Sequence, residues 1–243
     1  DLLLVTASRE QSLWLATTTQ LVLQNESELG EVVDPASGCF ALENLTQQLG
    51  EAAWQVMQTL KQATHSDYVK LLSPEIQRHW DEVQKKVRTR KLVQAGVNDF
   101  ALVGESVQLH PRWQRKDHVR LGRAFEELRL SVGTNKPRVH LRVVGDAAAL
   151  QARFNFAKNF FEILGLECSD QVFATAEEAL KVAHAAPVQV WVSADDVHAS
   201  LRPTGERCYL AGKTTVADCY NIFSGMDVWQ ELQELSVWWR AYK

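Results

Sequence analysis

Short apolar runs alternate with amphipathic segments through the second half of the chain, from residue 136 to residue 243. Runs with the length of a strand lie at 139–144, near Leu166, and at 188–192, 207–210 and 220–223. Segments with helical periodicity lie between and after them, at 149–164, 175–185, 195–201 and 227–242, with a helical turn at 215–218. Strands joined through helices form right-handed crossovers, so they build a parallel sheet covered on both faces. The pattern predicts an α/β domain with the flavodoxin-like strand order 2-1-3-4-5.

Helical periodicity dominates the first half of the chain. Apolar residues recur at helical spacing over 8–24, 43–62 and 74–87, after an opening apolar run at 2–5 with the length of a short strand. In the second helix, Leu45, Leu49 and Val56 belong to one apolar stripe that must pack against another element. Pro74 suits the first turn of the third helix, where its missing N–H is harmless. A strand followed directly by a helix is the repeating unit of a barrel-type domain.

Between residues 92 and 118 neither helical nor strand periodicity persists, and Gly96, Gly104 and Pro111 interrupt the chain. This composition predicts a long irregular linker. The chain also begins with an apolar run and has no initiator methionine. We therefore expect it to be a piece of a longer protein.

The charge balance excludes two classes of partner. The 243 residues include 26 lysines and arginines against 30 aspartates and glutamates, a net charge of −4. Because no surplus of positive charge is available to neutralise phosphates, neither a nucleic acid nor an anionic membrane is an expected partner. No apolar run is long enough to span a bilayer, and no basic segment precedes the opening run as a secretory signal requires. With four widely spaced cysteines and no CxxC pair, these features predict reduced thiols and a cytoplasmic location.

In an open parallel sheet, ligands bind in the crevice beyond the carboxyl ends of the strands. The loops at that edge begin at Gly145, Ser193, Gly212 and Gly225. The first loop has a single glycine and no P-loop lysine after it, so it is not a phosphate-binding loop. Its only ionisable group, Asp146, stands directly before a helix and is interpreted as an N-cap.

The other polar residues at this edge also have structural explanations. Asp195 and Asp196 are adjacent in sequence, so their side chains point apart, and capping of the next helix explains them. Lys213 after Gly212 could meet an anion, but one glycine-lysine pair is a weak signal.

No catalytic constellation is visible in the sequence. The seven histidines form no HExxH motif and no i, i+4 pair, and neither a GxSxG elbow nor a catalytic-cysteine signature is present. We predict no catalytic residue and no metal site. The last helix is rich in aromatic residues that suit a core or a protein interface: Trp229, Trp238, Trp239 and Tyr242.

Several stretches, in the same order along the chain, resemble the methylmalonyl-CoA mutase family, specifically the smaller, non-catalytic subunit of its heterodimeric members. The first of these stretches, residues 20–30, resembles a family segment that ends in glutamate, serine, a variable residue, leucine and glycine. The stretches are 20–30, 33–38 with 43–46, 52–54, 90–91 with 95–100, 123–129 and 154–161.

This resemblance implies three parts. Residues 1–91 would be the last elements of a TIM barrel, residues 92–135 a linker, and residues 136–243 a flavodoxin-like, degenerate cobalamin-binding domain. Barrel active sites draw on loops from many strands, so a fragment of the barrel cannot assemble one.

The resemblance also predicts that this chain binds no cofactor. Cobalamin-binding members carry, directly after the first strand of their last domain, an aspartate, a histidine two residues on and a glycine three further. Here Ala147, Ala149 and Ala152 stand at those positions, and alanine has no lone pair to ligate cobalt. Ser193 matches a serine of the next loop, whereas Ala211 with Gly212 matches only half of a double glycine.

The implied function is that of a non-catalytic small subunit in a mutase heterodimer. Its large catalytic partner would carry adenosylcobalamin and interconvert methylmalonyl-CoA and succinyl-CoA, an isomerase reaction. Two alternatives remain, which are the carboxyl-terminal part of a divergent catalytic acyl-CoA mutase and a stand-alone flavodoxin-like binding module. A truncated barrel exposes apolar surface, so self-association of the fragment is also expected.

Overall fold

The computed structural model describes residues 10–28, 30–61, 65–104, 120–182, 186–194 and 206–242. These residues divide into two compact units, one made of the chain up to His79 and one made of the chain from Trp80 onwards. The boundaries at residues 91 and 135, and the assignment of the first part to a TIM barrel, stay predictions.

Helices form the described part of the first unit. Helix α1 covers Glu10–Asn25, helix α2 covers Phe40–Lys61, and helix α3 covers His65–Arg88 and continues into the second unit. The first two agree with the predicted helices, while the strand expected at 2–5 lies outside the described residues.

Helix α3 begins nine residues earlier than predicted and contains Pro74 in its interior. Interpreting Pro74 as the first turn of the helix was therefore wrong. The φ angle of proline matches a helix, but the hydrogen bond to the carbonyl of Lys70 is lost and the ring crowds that carbonyl, at a total cost of about 3 kcal/mol relative to alanine. Because helical residues continue on both sides, the helix passes through the proline.

The second unit contains the expected five-stranded sheet. Its strands are β1 (Val139–Val144), β2 (Cys168–Phe173), β3 (Val188–Val192), β4 (Arg207–Ala211) and β5 (Cys219–Ile222). Their order is β2-β1-β3-β4-β5, and every neighbouring pair is parallel. The predicted α/β class and flavodoxin-like order are confirmed.

Helices accompany both faces of the sheet. They are α4 (Arg123–Ser131), α5 (Ala147–Glu162), α6 (Ala176–Lys181) and α7 (Val228–Tyr242). The helix expected at 195–201 lies outside the described residues.

The core lies on both sides of the central strands, since every residue of β1 and of β3 is buried. On one face, Leu141 and Val190 pack with α5 and α7, including the buried Phe160 and Leu232. On the other face, Trp191 belongs to a smaller cluster with residues of α6. This two-sided burial explains the continuous apolar runs of the central strands.

Among the described residues, no helix combines the length and the apolar character needed to cross a membrane.

Candidate functional site

The crevice beyond the carboxyl end of β1 begins with a turn and an N-cap. Gly145 has φ of +109°, a conformation that favours glycine. The next residue, Asp146, accepts a hydrogen bond of 2.9 Å from the backbone N–H of Ala148. The interpretation of Asp146 as an N-cap is confirmed, so its carboxylate is engaged in holding the start of α5.

The first turn and a half of α5 contains the three alanines that the sequence analysis singled out, and each has only a methyl group as its side chain. Ala147, Ala149 and Ala152 are all exposed. A methyl group has no lone pair and no exchangeable proton, so these side chains can act neither as acid, base nor ligand.

Arg153 follows directly and reaches the carboxyl ends of two strands. Its Nη1 donates to the backbone oxygen of Ser193 at 2.8 Å and to that of Ala211 at 3.4 Å. Ser193 is completely buried just after β3, and Ala211 is the last residue of β4. The Arg153 guanidinium therefore lies across the part of the crevice that β3 and β4 form.

Sequence reasoning missed Arg153. A lone arginine in an amphipathic helix has no motif around it, and its two acceptors are 40 and 58 residues away along the chain. The available signal was topological, because the second turn of the helix after β1 passes the ends of the neighbouring strands.

A cavity of about 420 Å³ lies beside Arg153, between α5 and the loops that follow β4 and β5. Its wall is mostly apolar, with Phe156, Ile222 and Phe223, and it also includes the cations Arg153 and Lys213. The Lys213 Nζ lies 5.4 Å from the centre of the Phe223 ring. No thiol, imidazole or carboxylate is among the described residues that line it, and its polar side chains are those of Arg153, Lys213 and Ser224.

The loop after β4 is held by a side chain of the neighbouring strand. Asn221 of β5 donates from its Nδ2 to the backbone oxygens of Gly212, at 2.9 Å, and Thr214, at 2.7 Å. These two bonds fix the part of the loop from which Lys213 projects into the cavity wall. Lys213 therefore contributes a cation to the wall of the cavity.

Of the other polar residues singled out from the sequence, the structure describes Ser193, which lies at the crevice, and His140, which does not. Ser193 donates from its Oγ to the oxygen of Ala194 at 3.3 Å. Asp195 and Asp196 lie outside the described residues. His140 interacts with the Oγ of Ser169 at 3.0 Å through its Nδ1, on the opposite face of the sheet. Within the described ranges, no three histidine, cysteine or acidic side chains come together as a metal site would require.

That opposite face carries a second arginine with a structural function. Arg142 is buried, donates from its Nη2 to the oxygen of Val182 at 2.8 Å, and lies 5.1 Å from the Trp191 ring centre. Burial lowers the pKa of Arg142, and the nearby Cys208 thiol partly offsets this effect. Its hydrogen bonds to backbone oxygens and its contact with a ring attach the α6 segment to the sheet.

The carboxyl-terminal aromatic residues are mostly part of the fold. Trp239 is buried and donates from its Nε1 to the oxygen of Asn135 at 2.9 Å. Trp229 is half-buried and donates to the oxygen of Ala124 at 3.3 Å. Only Tyr242, at 47% exposure, presents a large aromatic surface to solvent in this group.

The sequence of the chain was compared with protein families and with individual known proteins. A sequence model described as methylmalonyl-CoA mutase matches residues 4–182. The chain is 32% identical over 240 residues to the methylmalonyl-CoA mutase small subunit of Streptomyces virginiae, covering 88% of this chain and 39% of that protein. It is 28% identical over 228 residues to the small subunit of Porphyromonas gingivalis, with 82% and 35% covered.

A third relative gives the same result at lower identity. The small subunit of Propionibacterium freudenreichii subsp. shermanii is 25% identical over 193 residues, covering 72% of this chain and 29% of that protein. The chain thus spans less than two fifths of the length of these curated relatives. Since the family model covers most of the sequence, the chain belongs to the methylmalonyl-CoA mutase family.

Proposed function

We propose that this chain is part of the non-catalytic small subunit of a heterodimeric methylmalonyl-CoA mutase. In this proposal it stabilises a larger, cobalamin-dependent subunit that interconverts methylmalonyl-CoA and succinyl-CoA in the cytoplasm. Relatives named as small subunits support it, with identities of 25–32% over most of this chain. The term small subunit implies a second, different subunit.

The first loop of the second unit is the observation that carries the proposal. Where cobalamin-binding members have aspartate and histidine, this chain has Ala147 and Ala149 at the exposed start of α5. A histidine nitrogen supplies the lower ligand of cobalt, and a carboxylate on its other nitrogen orients it. Alanine supplies neither group, so the lower ligand has no source in this loop.

The neighbouring crevice also supports the proposal that this chain binds no cobalamin. A group that takes the place of the Arg153 guanidinium, beyond the ends of β3 and β4, would have to displace it from the oxygens of Ser193 and Ala211. Displacing a charged donor from two backbone oxygens costs more than displacing water. The described residues therefore do not fit a corrinoid, and we assign adenosylcobalamin to the large subunit.

The first test is retention of the cofactor. The purified chain is mixed with excess adenosylcobalamin, freed of unbound cofactor by gel filtration, and examined by visible spectroscopy. We expect no corrinoid absorbance in the protein fraction. The matched variant Arg153→Ala removes the guanidinium from the crevice but keeps Ala147 and Ala149. It should also retain no base-on cofactor, because the loop still has no nitrogen ligand for cobalt. A retained spectrum with a protein histidine as lower ligand would show that the loop assignment is wrong.

The second test addresses the partner. The chain is co-expressed with a large subunit of a mutase from the same organism, and the complex is isolated through a tag on the chain. We expect a heterodimer in which the large subunit has a higher thermal unfolding midpoint than it has alone. Turnover of methylmalonyl-CoA by the isolated chain would contradict the proposal.

Self-association of the isolated chain is a separate expectation, and the second test must distinguish it from binding to the large subunit. Helix α2 has no buried residue, and its exposed side chains include Leu45, Leu49 and Met57. Such an apolar face favours association in water. Sedimentation velocity over a hundredfold range of concentration distinguishes self-association, whose mass rises with concentration, from the heterodimer formed with the large subunit.

A further inference from the structure

Two cysteines stand side by side on neighbouring strands. Cys208 of β4 and Cys219 of β5 are direct register partners in a parallel pair. Register partners in adjacent strands point to the same face of a sheet, and neighbouring strands lie about 4.8 Å apart. A disulfide requires Cα atoms about 4.4–6.8 Å apart. The backbone of β4 and β5 therefore places these two residues within the range that a disulfide spans.

The two thiols differ in exposure. Cys208 has 3% of its surface exposed, whereas Cys219 is half-buried on β5, the last strand of the sheet order. A small oxidant can therefore approach the pair from the side of β5 without unfolding of the central strands.

The surroundings favour one thiolate. The thiol of Cys219 hydrogen-bonds Cys208 and lowers the pKa of Cys208, and the positive charge of Arg142 acts in the same direction, while burial opposes both. The same hydrogen bond raises the pKa of Cys219, with burial adding to the effect. When the pair loses a proton, Cys208 therefore loses it before Cys219, and the thiolate forms on Cys208.

We propose that Cys208 and Cys219 are an oxidation site that hydrogen peroxide converts into an intramolecular disulfide. The Cys208 thiolate attacks one peroxide oxygen, so that an S–O bond forms, the O–O bond breaks, and hydroxide leaves and takes up a proton as water. The Cys219 sulfur then attacks the sulfur of the sulfenic acid, the S–S bond forms, the S–O bond breaks, and a second water leaves. Two thiols are oxidised and one peroxide is reduced to two waters.

The other cysteines provide internal controls. Cys39 is exposed and belongs to the first unit, whereas the other three cysteines belong to the second. Cys168 is half-buried at the start of β2, and burial raises its pKa to about 12. The opposite edges of the sheet separate Cys168 from the pair, since β2 and β5 are its two end strands. The expected disulfide therefore joins one specific pair out of the four thiols.

The test uses the full reduced chain at low micromolar concentration. It is treated with a few equivalents of hydrogen peroxide, denatured in the presence of N-ethylmaleimide, and analysed by intact mass and peptide mapping. We expect a species with two fewer maleimide labels, a mass lower by the two lost hydrogens, and one linked peptide pair containing Cys208 and Cys219. Dithiothreitol should restore four labels.

Two substitutions sharpen the test. Cys219→Ser should lose the linked species completely and accumulate the singly oxidised form, while Cys39→Ser should behave like the unsubstituted chain. Retention of all four thiols under peroxide, or a linked pair that includes Cys39 or Cys168, would overturn the proposal. If Cys219→Ser does not fold, the peptide map of the unsubstituted chain still decides between these outcomes. The experiment needs neither cobalamin nor the large subunit, so its result is independent of the proposed function.

Discussion

Replacing Asn98 by alanine should destabilise the second unit strongly. Asn98 is completely buried in the segment after α3. Its Nδ2 donates to the oxygens of Val87 and Leu92, both at 2.9 Å, and its Oδ1 accepts from the backbone N–H of Gln94 at 2.7 Å. One side chain therefore connects the end of a helix with two points of the following turn.

The magnitude follows from these three bonds. A buried neutral hydrogen bond contributes about 1 kcal/mol net, so their loss costs about 3 kcal/mol. The Val87 oxygen keeps a second donor, the N–H of Arg90 at 3.1 Å, which limits the penalty there. The N–H of Gln94 loses its side-chain acceptor, which increases the cost of the substitution. About 3 kcal/mol is therefore the expected decrease in the free energy of unfolding.

Native-state hydrogen exchange measures this change within the second unit. Peptides from β1 and β3 contain its most buried backbone, so their slowest amides report its global unfolding. A decrease of about 3 kcal/mol accelerates their exchange by about a hundredfold. The matched control is Asn155→Ala, which removes an exposed acceptor of one bond from Gln151 and should change the free energy by less than about 0.5 kcal/mol.

A second substitution at the same position separates loss of bonds from loss of volume. Asn98→Asp retains the shape and the acceptor for Gln94, but it places a carboxylate against two backbone oxygens. It should be at least as destabilising as alanine at pH 7. Exchange rates in Asn98→Ala that match those of Asn155→Ala would refute the view that this side chain organises the segment.

Four further predictions concern other residues. Glu231→Ala removes the carboxylate 3.3 Å from the guanidinium of Arg207, whose side chain is 5% exposed, and should cost about 3 kcal/mol or more by hydrogen exchange. Burial raises the pKa of Glu231 despite Arg207, so the folded chain binds this proton more tightly than the unfolded chain. The free energy of unfolding should therefore fall as the pH rises through the folded-state pKa, and Glu231→Gln should remove this dependence. At pH 8 the folded chain should react with iodoacetamide much faster at the exposed Cys39 than at Cys168, whose pKa burial raises to about 12, and equal labelling would contradict the burial of that thiol. Gly165 has φ of +69°, and a methyl group there would lie 2.5 Å from the Nζ of Lys136 and 3.0 Å from the Nε of Arg129. Gly165→Ala should therefore cost more than about 1 kcal/mol and lower the thermal midpoint by more than about 2–4 °C, whereas an unchanged midpoint would show that the turn relaxes.

The elements of the second unit were predictable where their residues have one strong tendency. Both β1 and β3 were predicted with their observed bounds, because each is a continuous apolar run with several β-branched residues. Asp146 was identified as an N-cap from its position alone. These features depend on local sequence, so no information about the tertiary structure was needed.

Elements with weaker local signals were placed less well. Strand β2 was expected near Leu166 but covers Cys168–Phe173, where most side chains are polar and exposed. No apolar alternation marks such an edge strand, and its pairing with β1 defines it. Helix α3 was expected to begin at Pro74, but the residues before it also adopt helical structure. A breaker residue lowers helix stability without deciding where a helix begins.

The sequence by itself determined the class of the second unit, the order of its strands and the absence of ligating side chains at Ala147 and Ala149. Only the tertiary structure decided that Arg153 reaches the ends of β3 and β4, that Asn98 is buried, and that Cys208 lies beside Cys219. Strand order follows from the alternation of periodicities and the handedness of crossovers, which are local and general. Side-chain partners depend on register and packing between segments far apart in the chain, and no spacing in the sequence encodes those distances.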